Sequence, residues 1–288
     1  MNAIITLPET TPLVFQWLPK QFGNSVPNNK QYQYLQRLIN WARAEPQRTI
    51  YLVVNGAGLK LKQMKDLEET LSLIENIKVI DFNKIDFCTD DMPNLSIGSD
   101  FEISIPEFYK TLYSADIRMP FGLEIDLMRA FILLNFDKIA GQDEVIYFDF
   151  DIFSSKDNKK VGVVENIHGI VMAASLENSI IAIDRRGRKI LTNALEAFVN
   201  ELADKVSYCD EDNNMVWNAI RKEIEKLQEE RGEDFDYEFV QFTFKGNVED
   251  TSETSWLKPE ALYKEPDLPI SFNTSISQIG TTKLVSVR

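Results

Sequence analysis

Residues 146–153 read IYFDFDIF, an apolar and aromatic run interrupted by two carboxylates, Asp149 and Asp151. Such a run predicts a buried strand, and residues at i and i+2 lie on one face of a strand. Two acids that close in apolar surroundings repel each other and are costly to desolvate, so a positive group is expected beside them. A divalent cation is the simplest candidate. Hard carboxylate oxygens suit Mg²⁺ or Mn²⁺, which complete their shells with water and phosphate. Asp-x-Asp at the carboxyl end of a central strand is what a nucleotide-sugar transferase needs, a metal clamp on the departing diphosphate. The plainer alternative makes Asp149 the last strand residue and Asp151 part of a turn.

Outward from this strand, residues 13–17 (LVFQW), 49–54 and 77–81 predict three more strands. Between them, residues 31–44 carry Tyr34, Leu35, Leu38, Ile39 and Trp41 at helical spacing, and residues 61–75 form a second amphipathic pattern. The order β-α-β-α-β predicts a parallel sheet with covering helices, the nucleotide-binding half of many α/β enzymes. Residues 88–98 turn polar and rich in Pro and Gly, a loop; 106–113 predict a short helix and 121–135 a strong one. That helix sets Asp126 and Arg129 three residues apart on a face that includes Ile125, Ile132 and Leu133, so the pair is expected to be at least half buried. Strands over 161–173 and 179–184, helices over 188–205 and 213–231, and a last strand over 237–244 follow. The tail from 245 reads as irregular chain.

At 288 residues the chain suits one large domain, or one domain with a helical insertion. Its 31 basic and 45 acidic residues leave a formal charge of −14 with no Lys/Arg run, which disfavours nucleic acid or an anionic membrane as partner. Cys88 and Cys209 are too few for a disulfide framework and fit no metal-ligand spacing. His168 is the only histidine, so any Ser-His or Cys-His scheme must pass through it, and its neighbours Ile167 and Ile170 favour a strand-end or core position. Gly56 and Gly58, in NGAGLK, lack the third glycine and Lys-Ser/Thr ending of a phosphate loop and read as a plain βα turn. The first residues lack the basic and apolar regions of a cleaved signal, and no apolar run approaches a membrane span.

The opening PLVFQWLP, D-x-x-R in a helix, IYFDFD, SLEN at 175–178 and a C-terminal Ser-Trp form an ordered set. Together they resemble the NleB/SseK family of bacterial effector arginine glycosyltransferases, over most of residues 12–256. The resemblance implies a GT-A fold, an α/β class with a mostly parallel Rossmann-like sheet and a helical hairpin insertion. It implies retaining transfer of N-acetylglucosamine from UDP-GlcNAc, with Mn²⁺ (or Mg²⁺), to arginine side chains of a host protein. Phe15, Gln16 and Trp17 would hold the uracil and Tyr34 would sit near the uridine. Asp126 and Arg129 would hold sugar and diphosphate. Asp151 would bind the metal and Asp149 the donor, through water or ribose.

SLEN matches the family's His-Glu-Asn element with Leu176 in the first place, which makes Glu177 the catalytic candidate, with Asn178 beside it and Tyr147 lining the donor pocket. A guanidinium is a poor nucleophile, and a carboxylate can both orient it and take up its proton. Residues 250–256 (DTSETSW) match the family's closing terminus, so Asp250 and Ser252 would complete the metal shell while Ser255 and Trp256 cover the nucleotide. Asp stands here for Asn, the segment is shortened, and 32 residues follow the Trp; a second Asn-Thr-Ser at 273–275 could supply the ligands instead. The implied division is a catalytic domain over 1–187 and 237–256, a helical pair over 188–236, and a tail or lid over 257–288. A monomer delivered by a specialised secretion system into the host cytosol is expected. The alternatives are transfer of glucose or another UDP-linked sugar to Ser/Thr, and an inactive UDP-binding interaction module.

Overall fold

The computed structural model describes residues 5–23, 26–27, 34–87, 94–97, 102–114, 118–150, 152–154, 164–166, 169–172, 180–204, 215–231 and 248–250. The chain starts with β1 (Ile5–Leu7) and β2 (Leu13–Trp17), then α1 (Tyr34–Ala44), β3 (Ile50–Val54), α2 (Leu61–Leu71) and β4 (Ile77–Asp81). A short antiparallel pair, β5 (Leu95–Ser96) with β6 (Glu102–Ile103), leads into α3 (Ile105–Thr111), α4 (Phe121–Leu134) and α5 (Phe136–Ala140). Then come β7 (Val145–Phe148), β8 (Ile152–Ser154), β9 (Val164–Asn166), β10 (Ile170–Met172), β11 (Ile180–Ile183), α6 (Gly187–Ala203), α7 (Met215–Arg231) and β12 (Val248–Asp250).

The central sheet has the order β10-β11-β7-β2-β3-β4. Strands β7, β2, β3 and β4 run parallel, with Leu13 opposite both Ile50 and Ile146, while β10 and β11 are antiparallel. Because side chains alternate along a strand, β7 sends Val145 and Tyr147 to one face and Ile146 and Phe148 to the other. The first face packs on α4, α6 and α7 through residues such as Leu127, Phe131, Leu195 and Ile220. The second packs on α1 and α2 through Leu38, Trp41, Met64 and Leu71. Strands buried on both faces are largely apolar, as IYLVV is and as LVFQW is apart from Gln16.

Three expected elements end differently. The strand expected over 146–153 stops at Phe148, and Ile152 opens a separate strand that pairs with β12, Asp250 lying opposite Ile152. Just beyond Phe148 the Phe150 carbonyl accepts from Arg37 of α1, and the Asp149 side chain accepts from Arg129 of α4. The helix expected over 61–75 ends at Leu71, with Ser72 N–H closing on Glu68; Ile74 is then buried from a turn. The strand expected over 161–173 is two strands in different sheets, with Gly169 between them at φ 92°, a backbone region that glycine alone enters without strain. The helical pair α6 and α7 buries its apolar face in the same cluster as α4. The strand expected over 237–244 lies outside the described residues.

The sheet's carboxyl edge is held by short-range devices. Asn55, fully buried at the end of β3, caps the following turn by accepting from Ala57 N–H, and Gly56 N–H donates to Asp81. A Cβ on Gly56 would fall 2.6 Å from the Asp81 carboxyl. The glycine is there for that approach, and NGAGLK is a βα turn whose first amides are already taken by Asn55 and Asp81.

Candidate active site

Four elements converge at the carboxyl ends of β2 and β7. Helix α4 supplies Arg129, whose guanidinium donates to Asp149 Oδ1 at 2.8 Å and lies 3.2 Å from Asp126 Oδ1. It also stands over the Tyr147 ring, 4.7 Å from its centre, a cation–π contact of about 0.5–2 kcal/mol. The Tyr147 hydroxyl closes the group by donating to the same Asp149 oxygen. Arg129 and Asp126 side chains are 6% and 11% exposed and Asp149 is 24% exposed, so Asp149 is the member a ligand meets first.

Electrostatics follow from two acids around one base. Burial alone would lower the Arg129 pKa, but Asp149, Tyr147 and Asp126 outweigh it and the guanidinium stays protonated. Burial pushes Asp126 up to about 6, against the pull of Arg129. Burial also raises the Tyr147 phenol well above its usual value despite Arg129, so it remains a neutral donor. Asp149, the more exposed of the two acids, presents hard carboxylate oxygen at the site. That donor chemistry fits Mg²⁺ or Mn²⁺. Among the described residues no three acids, histidines or cysteines come together to hold a cation. Of the expected ligands, Asp151 and Ser252 lie outside the described residues, and of Asp250 only its strand position is described.

On the other face of the same strands lies an aromatic floor. Phe150, between the two acids of the motif, packs on Phe15 (5.4 Å between ring centres), Tyr34 (5.2 Å) and, edge-on, Trp17 (5.9 Å). Phe15 is fully buried and also meets Phe148 edge-on, whereas Trp17 and Tyr34 are half-buried. Gln16 points to the opposite face, where its Nε2 donates to the Ile125 carbonyl of α4 at 2.9 Å. Its buried Oε1 has no partner among the described residues. Thus Phe15, Trp17 and Tyr34 share one face with Phe150, and Gln16 shares the other with Asp126, Arg129, Tyr147 and Asp149. Glu177, Asn178, Ser255 and Trp256 lie outside the described residues.

Two supporting groups were not foreseen. Glu124, fully buried in the first turn of α4, accepts from Arg118 at 2.7 and 2.5 Å and from Met119 N–H at 3.0 Å, and Arg118 reaches on to the Lys20 carbonyl at 3.3 Å. Tyr113 donates to the Pro19 carbonyl. These bonds tie the chain just after Trp17 to the start of the helix bearing Asp126 and Arg129. The second is Arg37, 2% exposed, donating to the Phe150 carbonyl at 3.1 Å. Its signal was in the sequence: Tyr34, Arg37, Leu38 and Trp41 form one i, i+3, i+4, i+7 stripe, with an arginine in an otherwise apolar row.

A mostly parallel sheet with this strand order, an acidic motif at the end of β7 and an aromatic floor beside it make a GT-A glycosyltransferase fold. A crystal structure of the bacterial N-acetylglucosamine transferase NleB shares it with TM-score 0.56 at 21% identity, covering 85% of this chain and 96% of that one. Within that class the chain is similar to the SseK/NleB family, whose sequence profile matches residues 2–101. The protein-arginine N-acetylglucosaminyltransferase SseK1 of Salmonella typhimurium is 28% identical over 305 aligned positions, covering 88% of this chain and 87% of that protein. The protein-arginine N-acetylglucosaminyltransferase SseK3 of the same organism is 38% identical over 94 positions, 31% of this chain.

Proposed function

We propose that this protein transfers N-acetylglucosamine from UDP-GlcNAc to arginine side chains of a partner protein, a host protein reached after secretion. The observation that carries the reading is the Arg129–Asp149–Tyr147 group at the carboxyl end of β7, in a chain related over 88% of its length to SseK1. Trp17 and Tyr34 offer faces for a planar base. Asp126 and Arg129 orient sugar and diphosphate. Asp149, Asp151, Asp250 and Ser252 would hold Mn²⁺ or Mg²⁺, a bound cation that supplies charge stabilisation to the departing diphosphate. The pairing of β12 with β8 brings the Asp250 backbone beside the residue after Asp151, which supports that grouping.

Glu177, with Asn178, orients the acceptor guanidinium by paired hydrogen bonds. As the bond from its nitrogen to the anomeric carbon forms and the bond to UDP oxygen breaks, Glu177 takes the proton the nitrogen loses. Residues 250–256, through Ser255 and Trp256, cover the nucleotide and exclude water.

Intact-mass measurement with UDP-GlcNAc, Mn²⁺ and a panel of arginine-bearing proteins tests this. An added N-acetylhexosamine on arginine, lost with Glu177→Ala, is the expected result, with UDP-glucose a poor donor. Neither transfer nor UDP-GlcNAc hydrolysis under any metal condition rejects the reading. Tight UDP binding without turnover, and partner association unaffected by Glu177→Ala, instead identifies an interaction module.

A further inference from the structure

Arg37 is a buried cation with no part in the chemistry assigned above. A guanidinium 2% exposed in a helix that otherwise buries Leu35, Leu38, Ile39 and Trp41 carries a large desolvation cost. Burial of that kind persists where the charge is bound to something that must stay in place. One acceptor of that guanidinium is the Phe150 carbonyl, 113 residues away in sequence and one residue beyond Asp149. The peptide group is planar and rigid, so a hold on that oxygen also fixes the direction in which the chain leaves Phe150. By covalent connectivity the nitrogen of the same peptide belongs to Asp151.

Asp149 and Phe150 are therefore held by different elements. Arg129 of α4 and Tyr147 of β7 hold the Asp149 carboxylate from one face of the sheet. From the other face, α1 holds Phe150 twice: Arg37 grips its carbonyl, and Tyr34, three residues earlier on the helix, lies against its ring at 5.2 Å with the planes 33° apart. The Arg37 guanidinium lies 5.9 Å from the Tyr34 ring centre, at the outer edge of a cation–π contact, whereas the ring itself rests on Phe150 at 5.2 Å.

We propose that Arg37 is a positioning residue for the cation: by holding the Phe150 carbonyl it fixes the chain next to Asp149 and so keeps that carboxylate in metal-binding geometry, while nucleotide stacking on Trp17 and Tyr34 needs it little. The inference rests on the functional reading above. Outer-shell groups that orient ligands typically change metal affinity about 10–100-fold when removed.

The test is Mn²⁺ titration of the full chain, followed by electron paramagnetic resonance with UDP present, beside UDP titration without metal followed by tryptophan fluorescence. The variants are Arg37→Met, which fills the volume without donors, and Arg37→Lys, which keeps one charged donor. The expected result is Mn²⁺ affinity about 10-fold or more weaker in Arg37→Met, partly restored in Arg37→Lys, with metal-free UDP affinity within about twofold of wild type. Wild-type Mn²⁺ affinity in a folded Arg37→Met overturns the proposal and leaves the functional reading standing. An equal loss of metal-free UDP binding overturns it too, because Arg37 then supports only the floor. If Met at 37 prevents folding, Arg37→Gln and Arg37→Lys decide by the same two affinities. Absence of Mn²⁺-enhanced UDP binding in the wild type removes the functional reading itself, and this proposal with it.

Discussion

Asp126 is where burial and charge compete most openly. Its carboxyl is pushed up to about 6 from 3.8 because desolvation outweighs Arg129. Between those pH values the native state holds the proton more tightly than the unfolded chain, so this group's contribution is fully present below about pH 4 and is lost as pH rises through about 6. The difference is at most about 3 kcal/mol, from 1.36 kcal/mol per pH unit. Asp126→Asn removes the titration. Urea unfolding at intervals from pH 4 to pH 7 should show the variant gaining on the wild type by up to about that amount, with most of the gain between pH 4 and 6. A gap that stays constant with pH would mean that Asp126 is ionised throughout and better solvated than its burial implies.

At the scale of elements, α4 is placed by its first turn. Glu124 is fully buried, and burial raises its pKa in spite of two bonds from Arg118, whose side chain is 36% exposed. Removing the arginine leaves a buried carboxylate with only the Met119 amide among these partners, and breaking such pairs costs about 3–5 kcal/mol when both members are buried. With one member partly solvated, Arg118→Met should cost about 2–3 kcal/mol at pH 7.5. The cost should shrink towards pH 5, where Glu124 more readily takes a proton. Glu124→Gln, which keeps an acceptor for Arg118 and Met119, should cost less than Arg118→Met; chemical denaturation at the two pH values measures both.

The elements legible in the sequence were those with a period of their own. LVFQW, the Tyr34–Trp41 stripe and IYLVV declared β2, α1 and β3 within a few residues, and Asp126 with Arg129 was legible as a buried pair because both sit on an apolar helix face. The break after Phe148 was not legible. An apolar run says nothing about a side-chain carboxylate claimed by an arginine 20 residues away or a carbonyl claimed by one 113 residues away. Gln16, which the family resemblance groups with Phe15 and Trp17, is sent by strand alternation to the face of α4.

Across the whole molecule the site opens at the carboxyl edge of a sheet in a chain of formal charge −14. A field of that sign attracts an arginine-rich acceptor and raises the encounter rate at low ionic strength, where the screening length is about 30 Å at 0.01 M against about 10 Å at 0.1 M. If acceptor capture is electrostatically steered, kcat/KM for a basic acceptor should fall about 10-fold between roughly 20 and 300 mM salt, while kcat at saturating acceptor changes little. Hydrolysis of UDP-GlcNAc without acceptor provides the control, because its donor is itself anionic and gains nothing from a negative protein. Initial-rate measurements over that salt series separate the two. A parallel fall in hydrolysis would place the salt effect on the cation or the nucleotide, and the acidic surface would then have no part in choosing the partner.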